Sequence, residues 1–358
     1  MNRRHLPRTR ASSWYRPQLG EVRRASSELS SAPPPGRARP ERNWLGITAA
    51  VVLLAAACDG EVSDCGGPPS GANGVTGACL SFTAPTQVGQ VQEPLLLEAS
   101  GLIASRAHPG VFYAHNDSGD AARFFALDAG GRPLGEFDLQ GATALDWEDM
   151  AIGPSGSGGD FLYFADIGDN SLTDATVAPR SEIQIVRVRE PDIASAQGRV
   201  QQNVSAWERI RFTYPDRAHD AETLIVDPAG DSLWILTKEA SGRASVYSAP
   251  TAAAAESLTV LEKRGELALG SCGDMRITSG DISGDGRLIL VRTYGSVLLW
   301  ERPAGTSFIE ALLPSPRRLR APSEAQGEAI TFSGDAREWF TLSEGAAAPI
   351  FRASASCP

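Results

Sequence analysis

One pattern recurs along this chain and restricts its fold more than any other feature. An apolar strand opens on acidic residues, a glycine-rich turn follows, and a second apolar strand closes on polar or acidic residues. Its fullest form spans residues 145–170, L-D-W-E-D-M-A-I followed by D-F-L-Y-F-A-D-I-G-D-N. Related units are S-G-L-I-A-S with V-F-Y-A-H-N-D (100–117), and H-D-A-E-T-L-I-V-D-P with S-L-W-I-L-T-K-E (219–239). Two more are T-S-G-D-I-S-G-D-G with R-L-I-L-V-R-T-Y (278–294), and Q-G-E-A-I-T-F-S-G-D with E-W-F-T-L-S-E-G (326–345). Aligned on Gly101, Glu148, Glu222, Asp281 and Glu328, the units are 47, 74, 59 and 47 residues apart. That is the length of a four-stranded blade, and near-periodic units of this size build propellers or solenoids.

The expected architecture is therefore an all-β propeller of five blades over residues 91–358. A six-bladed ring is the alternative, if residues 192–214 hide another blade. Blade one takes residues 100–139, blade two 145–214 with insertions at 171–180 and 192–205, blade three 220–269, blade four 278–320. The segment E-I-Q-I-V-R-V-R-E-P in blade two alternates strictly, as a half-buried strand should. Blade five starts at Gln326 and has room for three strands only, so an N-terminal strand at residues 93–99 is expected to close the ring and leave no bare edge.

Before the propeller the composition changes. Residues 1–42 hold ten Arg and three acidic residues without apolar periodicity, too little burial to offset chain entropy. The uncharged stretch 44–57 suits a secretory h-region better than a bilayer span of roughly 20 residues. It ends in L-A-A-A-C, which resembles the lipobox of bacterial lipoproteins and implies lipidation of Cys58. Residues 1–57 thus read as a basic leader with a signal sequence, and residues 58–90, rich in Gly and Pro, as a tether. The expected location is the cell envelope, lipid-anchored on the periplasmic or outer-membrane face.

The chain carries 33 basic and 43 acidic residues; without the leader, 23 basic face 40 acidic, a net charge of −17. Such a surface repels nucleic acid and favours cations or neutral ligands. The only lysines are Lys238 and Lys263. After Cys58 come Cys65, Cys79, Cys272 and Cys357, an even count that points to disulfides in an exported protein. Cys65–Cys79 closes the shortest loop. Cys272–Cys357 would follow by subtraction, whereas strand polarity favours Cys357 with Cys65 or Cys79.

In a blade, the start of the innermost strand and the end of the second meet at one mouth of the central channel. Strand starts contribute Asp146, Glu148, Asp149, Asp220, Glu222, Asp281 and Glu328 there; strand ends contribute Asn116, Asp117, Asp166, Asp169, Lys238, Arg292, Tyr294 and Glu344. So many carboxylates with two offsetting cations cost free energy unless some protonate or a cation bridges them. A hard divalent ion such as Ca²⁺, held by Glu148, Asp149, Glu222 and Glu328, would satisfy them. The competing reading is a solvated network in which Lys238 and Arg292 pair with neighbouring acids.

The repeated S-G-L, D-W-E-D-M-A, E-T-L and Q-G-E-A-I resemble strand starts of the TolB-like and esterase-like phytase propellers of bacteria. D-W-E-D-M-A-I also resembles the metal-binding strand of alkaline propeller phytases, which implies Ca²⁺ and phosphomonoester hydrolysis. The second phytase signature and its basic cluster have no counterpart in this sequence. Other chemistries need weighing. His115, Asp117 and Ser118 are too close on one strand end for a triad, and there is no G-x-S-x-G elbow. His115 and His219 with nearby acids form a zinc set, although isolated histidines are more often ordinary hydrogen-bonded residues. Glu148, Glu222, Asp281 and Glu328 would suit glycoside hydrolysis. Trp147, Trp234, Trp300 and Tyr294 are sugar-stacking or inter-blade core residues. Three functions follow: a monomeric binder of a divalent cation or small polar ligand, a hydrolase using the same acids, or a scaffold for a protein partner with an inert channel.

Overall fold

Each two-stranded unit of the sequence becomes the inner half of a blade. The computed structural model describes residues 81–172, 176–193, 198–271 and 273–356. Five antiparallel-based sheets are present, with inner strands Ala99–Ala104, Trp147–Pro154, Ala221–Val226, Ile277–Ile282 and Gly327–Phe332. These five strands pack each against the next and the last against the first, which closes a five-bladed ring. Residues 1–57, read above as a leader, Cys58, expected to be lipidated, and the cysteines 65, 79, 272 and 357 lie outside the described residues. No helix among the described residues is long and apolar enough to cross a membrane.

Inner and second strands are buried on both faces, so they read as apolar runs rather than alternating ones. Five apolar clusters fill the five gaps between blades. Tyr113, Phe124, Trp147 and Phe164 lie between blades one and two, and Ile185, Phe212, Ile235 and Tyr247 between two and three. Trp234 and Trp300 belong to the cluster between three and four, so these tryptophans and Trp147 are inter-blade core. Close packing demands glycine where backbones approach: a Cβ at Gly153 would lie 2.3 Å from Val226 Cγ1.

Two features differ from the sequence expectation. The closing strand is Thr86–Gln90, paired with Pro349–Ser354, rather than residues 93–99. Residues 94–95 form a turn, stabilised by the Glu93 side chain accepting from Leu95 N, and Thr86–Gln90 lies inside the stretch read as tether. The excess length of blade two holds no sixth blade among the described residues. Val200–Val204 instead returns to pair in parallel with Pro133–Leu139 of blade one. Leu258–Val260 of blade three adds in parallel to Trp207–Thr213 of blade two. Blade one is thus strapped to blade two, and blade two to blade three, at their rims.

Candidate functional site

All five inner strands carry a register shift near their start, with one extra residue opposite the second strand. The extra residues are Ser100, Glu148, Glu222, Thr278 and Glu328. A β-bulge bends the strand and re-aims the inserted side chain. The structural equivalents of Glu148 in blades one and four are therefore Ser100 and Thr278, not Gly101 and Asp281. Beside each bulge, the residue after the second strand is fixed by a backbone bond to the residue before the first. The pairs are Asp117–Glu98, Ile167–Asp146, Lys238–Asp220, Tyr294–Arg276 and Glu344–Gln326. The mouth is built from these three layers.

Two overlapping groups of carboxylates result. Asp117, Asp146 and Glu148 offer oxygens within 4.8 Å of one another, and so do Glu148, Asp220 and Glu222. Glu148 belongs to both. Its side chain is 6 % exposed and has no hydrogen-bond or ion-pair partner among the described residues. Its backbone carbonyl accepts from Ser100 Oγ at 2.5 Å, which ties blade one to blade two. Gly168 leaves the room: a Cβ there would meet Glu148 Oε1 at 2.0 Å and Asp146 Oδ2 at 2.6 Å. Asp146 accepts from Asn170 Nδ2 at 3.0 Å, and Asp220 from Asp169 N at 3.0 Å. On the other side, Lys238 Nζ donates to Glu222 Oε1 at 2.5 Å and to Tyr294 OH at 3.2 Å. Tyr294 OH donates in turn to Glu328 Oε1 at 2.7 Å, and Glu328 Oε2 is buried with no hydrogen-bond partner among the described residues.

The electrostatics follow from this crowding. Burial, then the neighbouring Glu222, Asp117, Asp146 and Asp220 carboxylates, push the Glu148 carboxyl well above its usual range. Burial and Asp117 raise Asp146 to about 7; burial and Glu328 raise Glu344 to about 7. Burial also raises Glu222, despite Lys238 pulling the other way. For Lys238, burial alone would lower the ammonium, but Glu222 overrides it and holds the lysine charged.

Several residues expected at this mouth are employed elsewhere. Asp149 is fully buried and accepts from Leu224 N (2.9 Å), Gly280 N (3.3 Å) and Ser279 Oγ (3.0 Å), joining blades two, three and four. Asp281 lies three residues further along its strand, away from the mouth, and accepts from Phe332 N (2.8 Å) and Thr331 Oγ1 (3.0 Å) of blade five. Arg292 is buried, donates to Gly327 O and pairs with Glu324. Asn116 holds the segment 95–98, accepting from Leu97 N and Glu98 N and donating to Leu95 O. Asp166 accepts from Leu145 N, Asp146 N and Gln184 Nε2 and pairs with Arg180 at 2.8 Å, so it positions Asp146 from beneath. Asp169 anchors the following loop, accepting from Ser171 N and Arg180 N. Sequence reasoning passed over Glu98, Arg276, Arg180 and Glu324; the first two occupy the position before each inner strand, which only the blade register reveals.

The histidines stay apart. His115 is buried in contact with Trp147 (5.3 Å between ring centres), and Nδ1 lies 2.8 Å from its neighbour's carbonyl. His219 sits with Asp216 (3.1 Å) and Tyr247 (2.7 Å).

No protein-family model matches the chain, and no curated protein matches it. Among solved structures, it is similar to the PQQ-bound form of an aldose sugar dehydrogenase from Streptomyces coelicolor. That match has 10 % identity and a TM-score of 0.43, covering 76 % of this chain and 98 % of the other. The sheet topology and the acids of the mouth by themselves define a class, a five-bladed β-propeller with clustered carboxylates at one channel mouth.

Proposed function

We propose that this protein is an exported, lipid-anchored, monomeric propeller that binds a divalent cation, Ca²⁺, at the acidic mouth of its channel. The observation that carries the reading is Glu148: a residue 6 % exposed, whose carboxylate has no hydrogen-bond or ion-pair partner among the described residues and is shared by two groups of acids. An unpaired buried carboxylate is costly and ordinarily protonates or acquires a cation. Asp117, Asp146 and Glu148 would hold the ion. Oxygens up to 4.8 Å apart fit on opposite sides of a Ca²⁺ ion, whose ligands stand at about 2.3–2.6 Å. Calcium is favoured over magnesium because it accepts irregular carboxylate sets, whereas magnesium demands a near-ideal octahedron. The resemblance of D-W-E-D-M-A-I to a phytase metal strand points the same way, with one change: Asp146 and Glu148 are the members turned to the mouth, while Asp149 is taken up by blade-to-blade bonds. Export and anchoring rest on the sequence of residues 44–58 alone.

The test is thermal unfolding of the protein in EDTA and in CaCl₂. At a hundred times Kd, binding should add about 2.7 kcal/mol. Glu148→Gln should lose that gain. No gain in the native protein would remove the cation reading, and turnover of chromogenic glycosides or phosphate esters abolished by Glu148→Gln would replace binding by hydrolysis.

A further inference from the structure

The two groups of acids at the mouth are not equally served. Around Glu148, Asp220 and Glu222 stands a protein cation: Lys238 Nζ lies 2.5 Å from Glu222 and is steadied by Tyr294 OH at 3.2 Å, which is itself bonded to Glu328. Its backbone is pinned to Asp220 O at 2.9 Å, so the lysine enters the mouth from a fixed point. Around Asp117, Asp146 and Glu148 no protein cation forms an ion pair among the described residues. The nearby guanidiniums are committed: Arg276 to Asp274 and Arg292 to Glu324, while Arg180 binds Asp166 and the carbonyl of Gly168. Among the described residues, Lys238 is thus the one side chain that pairs with a member of either group, and Glu148, nine-tenths buried and shared by both, has no cation of its own.

We infer that Lys238 is a tethered counter-ion that fills the Glu148–Asp220–Glu222 position and limits the mouth to a single divalent ion, seated at Asp117–Asp146–Glu148. This rests on the cation reading above. A lysine suits the task because its ammonium is a compact point charge on a flexible stem, able to stand where a metal would. A second divalent ion at Glu222 would have to expel it and leave a buried ammonium without its partner, which is strongly unfavourable. The ion that does bind feels Lys238 across Glu148, so the lysine also weakens the affinity of the remaining position.

Calcium titration calorimetry on the full chain separates the outcomes. The native protein should bind one ion. Lys238→Met should bind two, the first roughly ten-fold or more tightly than in the native protein, and the double variant Lys238→Met with Glu222→Gln should return to one. No binding by either the native protein or Lys238→Met removes the cation reading and this inference with it. One ion in both, at unchanged affinity, or two in the native protein, overturns the inference alone. A measurement on the native protein covers the case in which the variant does not fold. With only two lysines in the chain, amine acetylation read by mass spectrometry reports Lys238 against Lys263. At saturating Ca²⁺ Lys238 should stay slow relative to Lys263. A rise of Lys238 to the rate of Lys263 on adding Ca²⁺ would mean that the ion displaces it, and the inference fails.

Discussion

Gly168 lies directly against Glu148, with the place for a Cβ only 2.0 Å from Glu148 Oε1 and 2.6 Å from Asp146 Oδ2. The glycine is the reason two carboxylates of blade two occupy the same corner of the mouth. The atoms a methyl would strike are the outer ends of side chains, so the fold can adjust while the ligand geometry cannot. Gly168→Ala should lower stability by about 1 kcal/mol or less and abolish most of the Ca²⁺-dependent rise in Tm. A variant that keeps the full Ca²⁺ response would show that Glu148 and Asp146 need not lie side by side.

Glu148 and Asp149 are sequence neighbours with opposite employment, and their substitutions should differ in sign. Glu148→Gln removes a carboxylate that burial and four acidic neighbours disfavour, so the ion-free protein should gain on the order of 1 kcal/mol. Asp149→Ala strips the partner from Leu224 N, Gly280 N and Ser279 Oγ, and should cost about 3 kcal/mol. Urea denaturation in EDTA reads both; equal effects would contradict the assignment of Asp149 to the blade junctions.

Stability should depend on pH in a way that calcium inverts. Asp146 and Glu344 are raised to about 7, and Asp281, through burial, to about 6. Between about pH 4 and 7 the folded state binds more protons at these groups than the unfolded chain does, so their contribution falls as pH rises. Buried His115 acts oppositely: burial lowers it to about 4, so acidification from about 6.5 towards 4 removes stability. Between pH 6 and 8 the unfolded-state imidazole of His115 also loses its proton, but Asp146 and Glu344 together outweigh this single opposing group, so the ion-free protein should be more stable near pH 6 than at pH 8, and saturating Ca²⁺ should reverse that order. Melting curves at the two pH values in EDTA and in CaCl₂ check the sign.

Arg292 and Glu324 form a buried pair under Gly327, where an added Cβ would fall on the guanidinium. Glu324→Ala leaves Arg292 charged and unpaired and should cost about 3–5 kcal/mol, with the calcium-induced gain in Tm preserved in whatever protein folds. Loss of that gain in a folded variant would place the pair within the mouth.

How far the chain could be read in advance follows from which interactions are local. Apolar runs, glycine turns and a near-constant spacing are properties of each hairpin by itself, so they named five blades and the mouth on which the acids gather. The register within a hairpin is not local in that sense. A single inserted residue in each inner strand decides whether Glu148 or Asp149, Thr278 or Asp281, is aimed at the mouth, and no spacing in the sequence marks it. The closing strand is not legible in the sequence for a similar reason: T-Q-V-G-Q is half polar and becomes a strand because Pro349–Ser354 offers it an edge.

The sequence by itself determined the repeat, the wrapping of hairpins around an axis and the excess of negative charge, because each of these is written within about fifty residues at a time. Only the tertiary structure decided which acids confront one another and which are neutralised. That choice depends on bulges, on a glycine 20 residues from Glu148, and on a lysine carried by a different blade. Electrostatic energy depends on distances in space, and those exist only once the ring is closed.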